Sequence, residues 1–281
     1  MSVQDLSGAA VLADGIKYGE SPRWHDGELW FSDVFDNRVC RLTPRGVETV
    51  VELPGPSGFG FLPDGSMVIA SMSEKVLYRG PVDALEPWVD LNDGPDIAML
   101  NDLVVASDGT VFVGRYLVGK PVPDGEIISV RPDGSWTVAA VDLVAPNGLG
   151  ITADGSTLLA SATGEEAIFA FTIDGSGSLV EKRTWAALPG RSPDGLCLDS
   201  EGGVWFGSAF TGEFLRVTAG GEVTHRLARP GVWTVAPMLG GESGTTLFLL
   251  SNDTNLEKFV AGESTGVIEA VDVSYSRTGR P

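Results

Sequence analysis

The two stretches that decide the fold are NGLGITADGSTLLAS, residues 147–161, and DGLCLDSEGGVWFGS, residues 194–208. They align without a gap. Each runs from a polar residue and a glycine, through a tight turn, into an alternating apolar strand. Alternation bounded by turn residues is typical of β-hairpins. The repeat raises the question of why a polar residue, Asn147 or Asp194, precedes a strand that should be buried.

Four further segments repeat the same turn and strand. The turn glycines of the six segments are Gly27, Gly65, Gly109, Gly155, Gly202 and Gly244. Neighbouring glycines are 38 to 47 residues apart, close to the period of a four-stranded propeller blade. The sequence therefore predicts an all-β fold, a six-bladed β-propeller of four-stranded antiparallel blades, with residues 1–281 forming one domain.

The last period is one strand short, and the segment GAAVLADGI, residues 8–16, precedes the first period with no other place in the repeat. An open blade would leave an unpaired strand edge at the junction of the ring. We expect this N-terminal strand to close the last blade.

Charge and targeting signals restrict the partners. Among 281 residues there are 38 Asp and Glu but only 19 Lys and Arg, a net charge of −19. Such a surface repels nucleic acid and anionic membranes, so a small-molecule substrate is the expected partner of a monomer or weak homo-oligomer. The N-terminus shows no basic, apolar leader, which favours a cytoplasmic location. Cys40 and Cys197 lie in apolar strand patterns and are expected to be buried free thiols.

Polar residues recur in phase before the innermost strands. Eight positions before the turn glycines lie Ser57, Asn101, Asn147, Asp194 and Ala236, and Glu20 lies seven before Gly27, which fits if one residue is deleted. Innermost strands run along the central channel, so Glu20, Asn101, Asn147 and Asp194 should converge. Oxygen donors with only two histidines in the chain favour one divalent metal ion, calcium first, with magnesium, manganese or zinc as alternatives. The competing interpretation is that Asn-Gly and Asp-Gly are ordinary turn residues.

Four motifs carry a family resemblance: GESPRWHDGELWFSD (19–33), LNDLVVASDGTVFVG (100–114), PNGLGITADGSTLLAS (146–161) and SPDGLCLDSEGGVWFG (192–207). With them the chain resembles the SMP-30/gluconolactonase/luciferin-regenerating-enzyme family over nearly its whole length. The resemblance implies a six-bladed propeller that hydrolyses small lactones, a carboxylic-ester hydrolase. It implies that Glu20, Asn147 and Asp194 bind the metal. It also implies that Asp194 is the general base and that Asn101 contacts substrate or a metal-bound water.

The chain departs from the sugar-lactone pattern at two positions. Met99 stands where those family members have a substrate-gripping arginine, and Pro121 falls near the place of a sugar-binding glutamate. A less polar lactone is therefore expected. The candidate substrate-binding residues are Asn101, Met99, Leu100, Arg115, Tyr116, Trp233 and Phe59. The alternatives are that the apolar ones belong to the core and that Arg115 forms a surface ion pair.

Other functions stay open at this stage. Calcium-dependent phosphotriesterases of the diisopropylfluorophosphatase type use a similar Glu, Asn, Asn and Asp set, and an apolar pocket suits their substrates. A family member recruited to other metal-centred chemistry, or to non-catalytic binding, would keep the same residues. A Ser-His-Asp triad is disfavoured, because His25 lies in a turn and His225 in an outer strand.

Overall fold

Alternating apolar residues and frequent glycine turns produce a fold that is nearly all β. The computed structural model describes residues 3–93, 98–117 and 123–280. Its strands form six sheets, each built around four antiparallel strands that are consecutive in the chain except where the N-terminus contributes. The predicted six-bladed β-propeller is confirmed. No helix among the described residues is long and apolar enough to span a membrane.

The strands follow one another blade by blade. Two come first, β1 (Gln4–Asp5) and β2 (Ala10–Ile16). Blade 1 has β3 (Gly19–His25), β4 (Glu28–Asp33), β5 (Arg38–Thr43) and β6 (Gly46–Glu52). Blade 2 has β7 (Pro56–Phe61), β8 (Met67–Ser71), β9 (Val76–Gly80) and β10 (Glu86–Asp90). Blade 3 has β11 (Ala98–Val105), β12 (Val111–Leu117), β13 (Gly125–Val130) and β14 (Trp136–Leu143).

The second half continues the pattern. Blade 4 has β15 (Pro146–Ile151), β16 (Thr157–Ala162), β17 (Ala167–Ile173) and β18 (Leu179–Ala187). Blade 5 has β19 (Pro193–Asp199), β20 (Val204–Ser208), β21 (Glu213–Val217) and β22 (Val223–Ala228). Blade 6 has β23 (Trp233–Gly240), β24 (Thr246–Asp253) and β25 (Thr265–Asp272), with the short helix α1 (Leu256–Val260) after β24. The last strand is β26 (Arg277–Thr278), and short 3₁₀ turns span Val34–Asp36 and Thr163–Glu165.

The N-terminal strand closes the ring, as predicted. β2 pairs antiparallel with β25, with Ala10 opposite Ala270 and Ile16 opposite Gly266. Ile16 is only 2% exposed and packs into the core between blades. The pairing covers the edge that blade 6 would otherwise expose.

Burial is greatest on the inner strands, which face other blades on both sides. β19 and β20 are buried along their whole lengths. The thiols of Cys40 and Cys197 are free and buried, as expected, and burial raises their pKa values to about 11 and about 12. Such thiols act as apolar packing groups.

Five of the six innermost strands carry the same β-bulge, and β23 has a different irregularity at Val235. In β7, β11, β15 and β19 the register skips two residues where the partner strand skips one, and β3 shows the same irregularity. Side chains normally alternate between the two faces of a sheet, and a bulge locally breaks this alternation and redirects them. The bulges contain Asn101, Asn147 and Asp194, so the fold presents these polar residues from successive blades at one level.

The phase of blade 1 differs from the prediction. Ser21 precedes Gly27 by six positions, whereas Ser57 precedes Gly65 by eight, and Ser21 rather than Glu20 takes the equivalent bulge position. The reason is the hairpin loop. Asp26 and Gly27 form a two-residue turn with φ of 49° and 81°, the conformation that favours Asp-Gly. Blade 1 is therefore two residues shorter than blade 2 between the bulge and the turn glycine. Glu20 is the residue before the bulge.

Candidate metal centre

The innermost strands form a closed ring in which each contacts the next, from β3 through β7, β11, β15, β19 and β23 back to β3. Hydrogen bonds join neighbouring blades at the level of the bulges. Ser32 Oγ donates to the carbonyl oxygen of Ser57 at 2.6 Å, and Ser57 Oγ donates to Asn101 Oδ1 at 3.4 Å. Asn101 Nδ2 donates to the carbonyl oxygen of Pro146 at 3.2 Å. Asn101, only 5% exposed, is therefore fixed between two blades.

Asn147 and Asp194 lie side by side on β15 and β19, and neither is in a hairpin turn. The glycine after Asn147 has a packing role. A Cβ added to Gly148 would lie 2.6 Å from both the carbonyl oxygen of Asp194 and the amide nitrogen of Leu196. Only glycine lets the two backbones approach this closely. The Asn-Gly pair therefore reflects strand-to-strand contact, and the turn interpretation does not apply here.

Two buried carboxyl groups lie close enough to repel each other. Glu20 is 7% exposed and Asp194 is 5% exposed. Burial, then repulsion from Asp102, raises the pKa of Glu20 to about 8. Burial, then repulsion from Glu20 and Asp102, raises the pKa of Asp194 well above its usual range. Both carboxylates need a positive partner if they are to be ionised near neutral pH.

Two oxygens in this cluster have no hydrogen-bond donor. Asn147 Oδ1 and Asp194 Oδ1 are both buried and unpartnered, a costly state for polar atoms. Asn147 is oriented from its other end, where Nδ2 donates to Thr163 Oγ1 at 3.5 Å and Thr163 Oγ1 donates to the carbonyl oxygen of Pro193 at 2.8 Å. Free carboxylate and amide oxygens are the ligands of hard divalent cations. The residues present therefore fit such an ion.

The donor set depends on asparagine. Among the described residues, no group of three or more His, Cys, Asp or Glu side chains could hold a metal ion. A cation bound here would take its ligands from two carboxylates and at least one amide oxygen. This composition is typical of calcium, magnesium or manganese and less typical of zinc.

Three residues of this region were missed by the sequence reasoning. Asp102, 3% exposed, and Arg23, 5% exposed, form a buried ion pair of 2.5 Å just behind the cluster. Ser21 joins them, because its hydroxyl lies 3.3 Å from Asp102 Oδ1. The sequence does contain a signal for Asp102. In blades 4 and 5 a glycine comes directly after the in-phase polar residue, whereas in blade 3 the carboxylate of Asp102 comes directly after Asn101.

Three candidate substrate residues lie at this end of the ring. Met99 and Tyr116 are opposite each other in the β11–β12 ladder and half-buried. Burial, then the charges of Asp194 and Glu20, raises the pKa of Tyr116 to about 12. Trp233 is half-buried at the start of β23. Pro121 lies outside the described residues.

The other candidates are occupied elsewhere. Phe59 and Leu100 are 0% exposed, within the core. The Arg115 guanidinium makes contacts of 2.5 Å to both Asp93 and Glu126 and donates to the carbonyl oxygen of Leu91 at 2.8 Å. The ion-pair alternative describes Arg115 better than substrate contact, and we leave Phe59, Leu100 and Arg115 out of the proposed substrate site.

A row of aromatic rings borders the cluster, and only Trp233 was recognised from sequence. Neighbouring ring centroids are 5.0 to 5.4 Å apart. The rings are those of Tyr18, Phe35, Phe259, Trp233 and Phe210. Tyr18 is at the inner end, where burial, Glu20 and Asp194 raise its pKa. Phe210 is at the outer end and 62% exposed.

Both histidines lie away from this cluster. His25 stacks on Phe61 with 3.4 Å between ring centroids, and His225 contacts Trp205 and Tyr275 near the outer strand of blade 5. The residues around His25 border a cavity of about 800 Å³ at the opposite end of the innermost strands. None of the predicted metal ligands lines that cavity.

Fold and site together define a class: six-bladed β-propellers with oxygen donors gathered where the innermost strands bulge. Residues 18–253 match the model of the SMP-30/Gluconolactonase/LRE-like region, and the chain belongs to this family. It is 27% identical over 244 residues to a 6-deoxy-6-sulfogluconolactonase of Pseudomonas putida, covering 84% of each chain.

Solved structures share the fold. The calcium-binding protein regucalcin of Agrobacterium tumefaciens str. C58 superposes with a TM-score of 0.78, at 20% identity and 99% coverage of both chains. A luciferin-regenerating enzyme superposes with a TM-score of 0.81, at 18% identity, over 97% of this chain and 98% of the other.

Proposed function

We propose that this protein is a metal-dependent lactonase that opens a small lactone with water. The observation that carries the proposal is the pair of buried, unpartnered oxygens, Asn147 Oδ1 and Asp194 Oδ1, beside the buried carboxyl of Glu20. Membership of the family and the lactonase named among its relatives support lactone hydrolysis.

Glu20, Asn147 and Asp194 are the residues that would hold the ion. When bound, a divalent cation would supply the Lewis acidity that polarises a lactone carbonyl and stabilises the negative charge on its oxygen. Calcium is the first candidate, because the donors are hard oxygens and a calcium-binding protein has the same fold.

The chain's own groups would handle water and the proton. Asp194 would accept a proton from the attacking water through the carboxylate oxygen that does not bind the ion. Asn101 would orient the water or the substrate. Its amide is fixed by Ser57 and Pro146, and its second Nδ2 hydrogen has no acceptor among the described residues. As the bond between the carbonyl carbon and the ring oxygen breaks, Asp194 would return the proton to the ring oxygen, and a hydroxy acid would be released.

The substrate is proposed to be less polar than a sugar lactone. Met99 offers no hydrogen bond, and Tyr116 and Trp233 border the same end of the channel. An apolar border of this kind would favour an aliphatic or aromatic substituent on the lactone.

Acid release at constant pH from a panel of sugar, aliphatic and aryl-substituted lactones tests this function. We expect hydrolysis that a chelator abolishes and that Ca²⁺, Mg²⁺ or Mn²⁺ restores. Hydrolysis unaffected by the chelator would contradict the metal dependence. No hydrolysis of any lactone, with the metal bound, would contradict the lactonase assignment and move the search to phosphotriesters.

A further inference from the structure

Arg23 and Asp102 form a buried ion pair, which Ser21 connects to the candidate metal ligand Glu20. Arg23 Nη2 lies 2.5 Å from Asp102 Oδ1, and both residues are at most 5% exposed. The guanidinium is fixed by further bonds, donating from Nε to the carbonyl oxygen of Phe59 at 2.9 Å and from Nη2 to that of Leu103 at 2.8 Å. Asp102 Oδ1 also accepts the backbone N–H of Leu103 at 2.8 Å. The carboxylate is therefore fixed from several sides.

Hydrogen bonds connect this carboxylate to Glu20 through Ser21. The Ser21 hydroxyl lies 3.3 Å from Asp102 Oδ1 and 3.5 Å from Glu20 Oε2, while the Ser21 backbone N–H donates to Glu20 Oε2 at 3.0 Å. Ser21 has φ of 48°, a conformation that residues other than glycine seldom adopt. A strained residue persists where its surroundings hold it, and here Asp102 and Glu20 are its side-chain partners.

We propose that Asp102 is a positioning residue of the metal centre, which fixes Glu20 through Ser21 and pairs with Arg23, so that a net negative charge of two remains for one divalent cation to neutralise. This inference rests on the proposed function, because it concerns the ion that the lactonase would use. The Asp102–Arg23 pair thereby gains a role in metal binding, although neither residue is among the three proposed ligands.

The charge balance supports the assignment. Glu20, Asp194 and Asp102, when ionised, carry three negative charges, and Arg23 carries one positive charge. The excess of two is the charge of one divalent ion. Asp102 acts on Glu20 through Ser21, whose hydroxyl lies 3.3 Å from Asp102 Oδ1 and 3.5 Å from Glu20 Oε2. Loss of the Asp102 charge would leave Arg23 unpaired beside the ion, which weakens binding further.

The chain contains a matched control. Asp199 and Arg216 form a second buried ion pair, at 2.7 Å, with 0% and 4% exposure. This pair lies at the far end of β19 from Asp194, next to the hairpin turn. Asp199→Asn breaks an equally buried pair without touching the ligands.

The experiment is calorimetric titration of the chelator-stripped protein with Ca²⁺ and with Mn²⁺ alone. Asp102→Asn should lower the affinity about 10–100-fold, the usual effect of removing an outer partner of a metal ligand. Ser21→Ala, which leaves the ion pair intact, should lower it by a smaller factor. Asp199→Asn should keep the wild-type affinity while lowering the melting temperature.

The outcomes separate two failures. Wild-type affinity in Asp102→Asn, or an equal loss in Asp199→Asn, would overturn the positioning role and leave the metal centre standing. Wild-type affinity in Glu20→Gln would instead overturn the metal centre itself. If Asp102→Asn does not fold, Ser21→Ala decides alone, and wild-type affinity in that variant overturns the proposal.

Discussion

Asp194 illustrates how a buried carboxyl can stay compatible with a stable fold. Its surroundings disfavour ionisation, since burial and the charges of Glu20 and Asp102 all raise its pKa. One of its oxygens has no protein partner. The same features that disfavour the charged group without a cation would make it a ligand and a base if a divalent cation offset its charge.

Asp194→Asn should lower kcat for the best lactone by at least about 10²-fold, the usual contribution of a general base. The amide keeps the shape of the side chain but removes both the base and a ligand charge. Steady-state kinetics at saturating metal would measure the loss. Asp199→Asn serves as the control, and a near wild-type kcat in Asp194→Asn would remove this residue from the mechanism.

Glu20 should make the stability of the metal-free protein depend on pH. Its pKa is about 8 in the folded protein against 4.5 ordinarily, so the folded state retains a proton that the unfolded state loses. The stabilisation is complete below about pH 4.5 and is lost as pH rises through 8. Thermal unfolding in chelator between pH 5 and 8 should show a falling melting temperature.

Glu20→Gln is the matched variant, because it removes the titrating group and keeps the size. The melting temperature of the metal-free variant should fall less with pH than that of the wild type. Parallel curves for the two proteins would show that Glu20 does not titrate in this range.

At the scale of the element, the bulges of β11, β15 and β19 determine where Asn101, Asn147 and Asp194 lie. Gly148 shows how closely neighbouring bulges pack, since any side chain there would meet the backbone of β19. The bulges therefore couple the spacing of blades 4 and 5 to the distance between Asn147 and Asp194.

Gly148→Ala should lower both the melting temperature and the metal affinity. The added methyl would lie 2.6 Å from backbone atoms of Asp194 and Leu196, and overpacking of this kind costs about 1–3 kcal/mol. Gly175→Ala is the control, because its added Cβ meets nothing within 4 Å. Equal melting temperatures and affinities for the two variants would contradict the role given to Gly148.

The sequence was informative about the repeat and less so about local register. Period, turn glycines and strand alternation were enough to predict six blades and the polar level of Asn101, Asn147 and Asp194. The position of Glu20 just before the bulge could not be predicted from the sequence. Counting back from the turn glycine does not distinguish the two-residue turn at Asp26–Gly27 from a longer loop. Burial of Phe59 and pairing of Arg115 depend on neighbouring blades, which no local pattern encodes.

At the scale of the whole molecule, one strand joins the two ends of the ring. β2 completes blade 6, and Ile16 is buried there. By contrast, β1 adds only a two-residue parallel pairing to β22 and an exposed ion pair between Asp5 and Arg226.

Deletion of residues 1–16 should therefore open the ring, exposing the edge of β25, and give a protein that unfolds at much lower temperature or aggregates. Deletion of residues 1–5 should shift the melting temperature by only a few degrees, since an exposed ion pair contributes about 0–1 kcal/mol. Differential scanning calorimetry distinguishes the two. Similar melting temperatures for both deletions would contradict closure by β2.

The most direct test of the central claim is anomalous diffraction from crystals of this protein soaked in Mn²⁺. The account predicts one strong peak within bonding distance of Glu20, Asn147 and Asp194 side-chain oxygens, and its absence in crystals of Glu20→Gln. A fully occupied peak elsewhere, with none at these three residues, would contradict it.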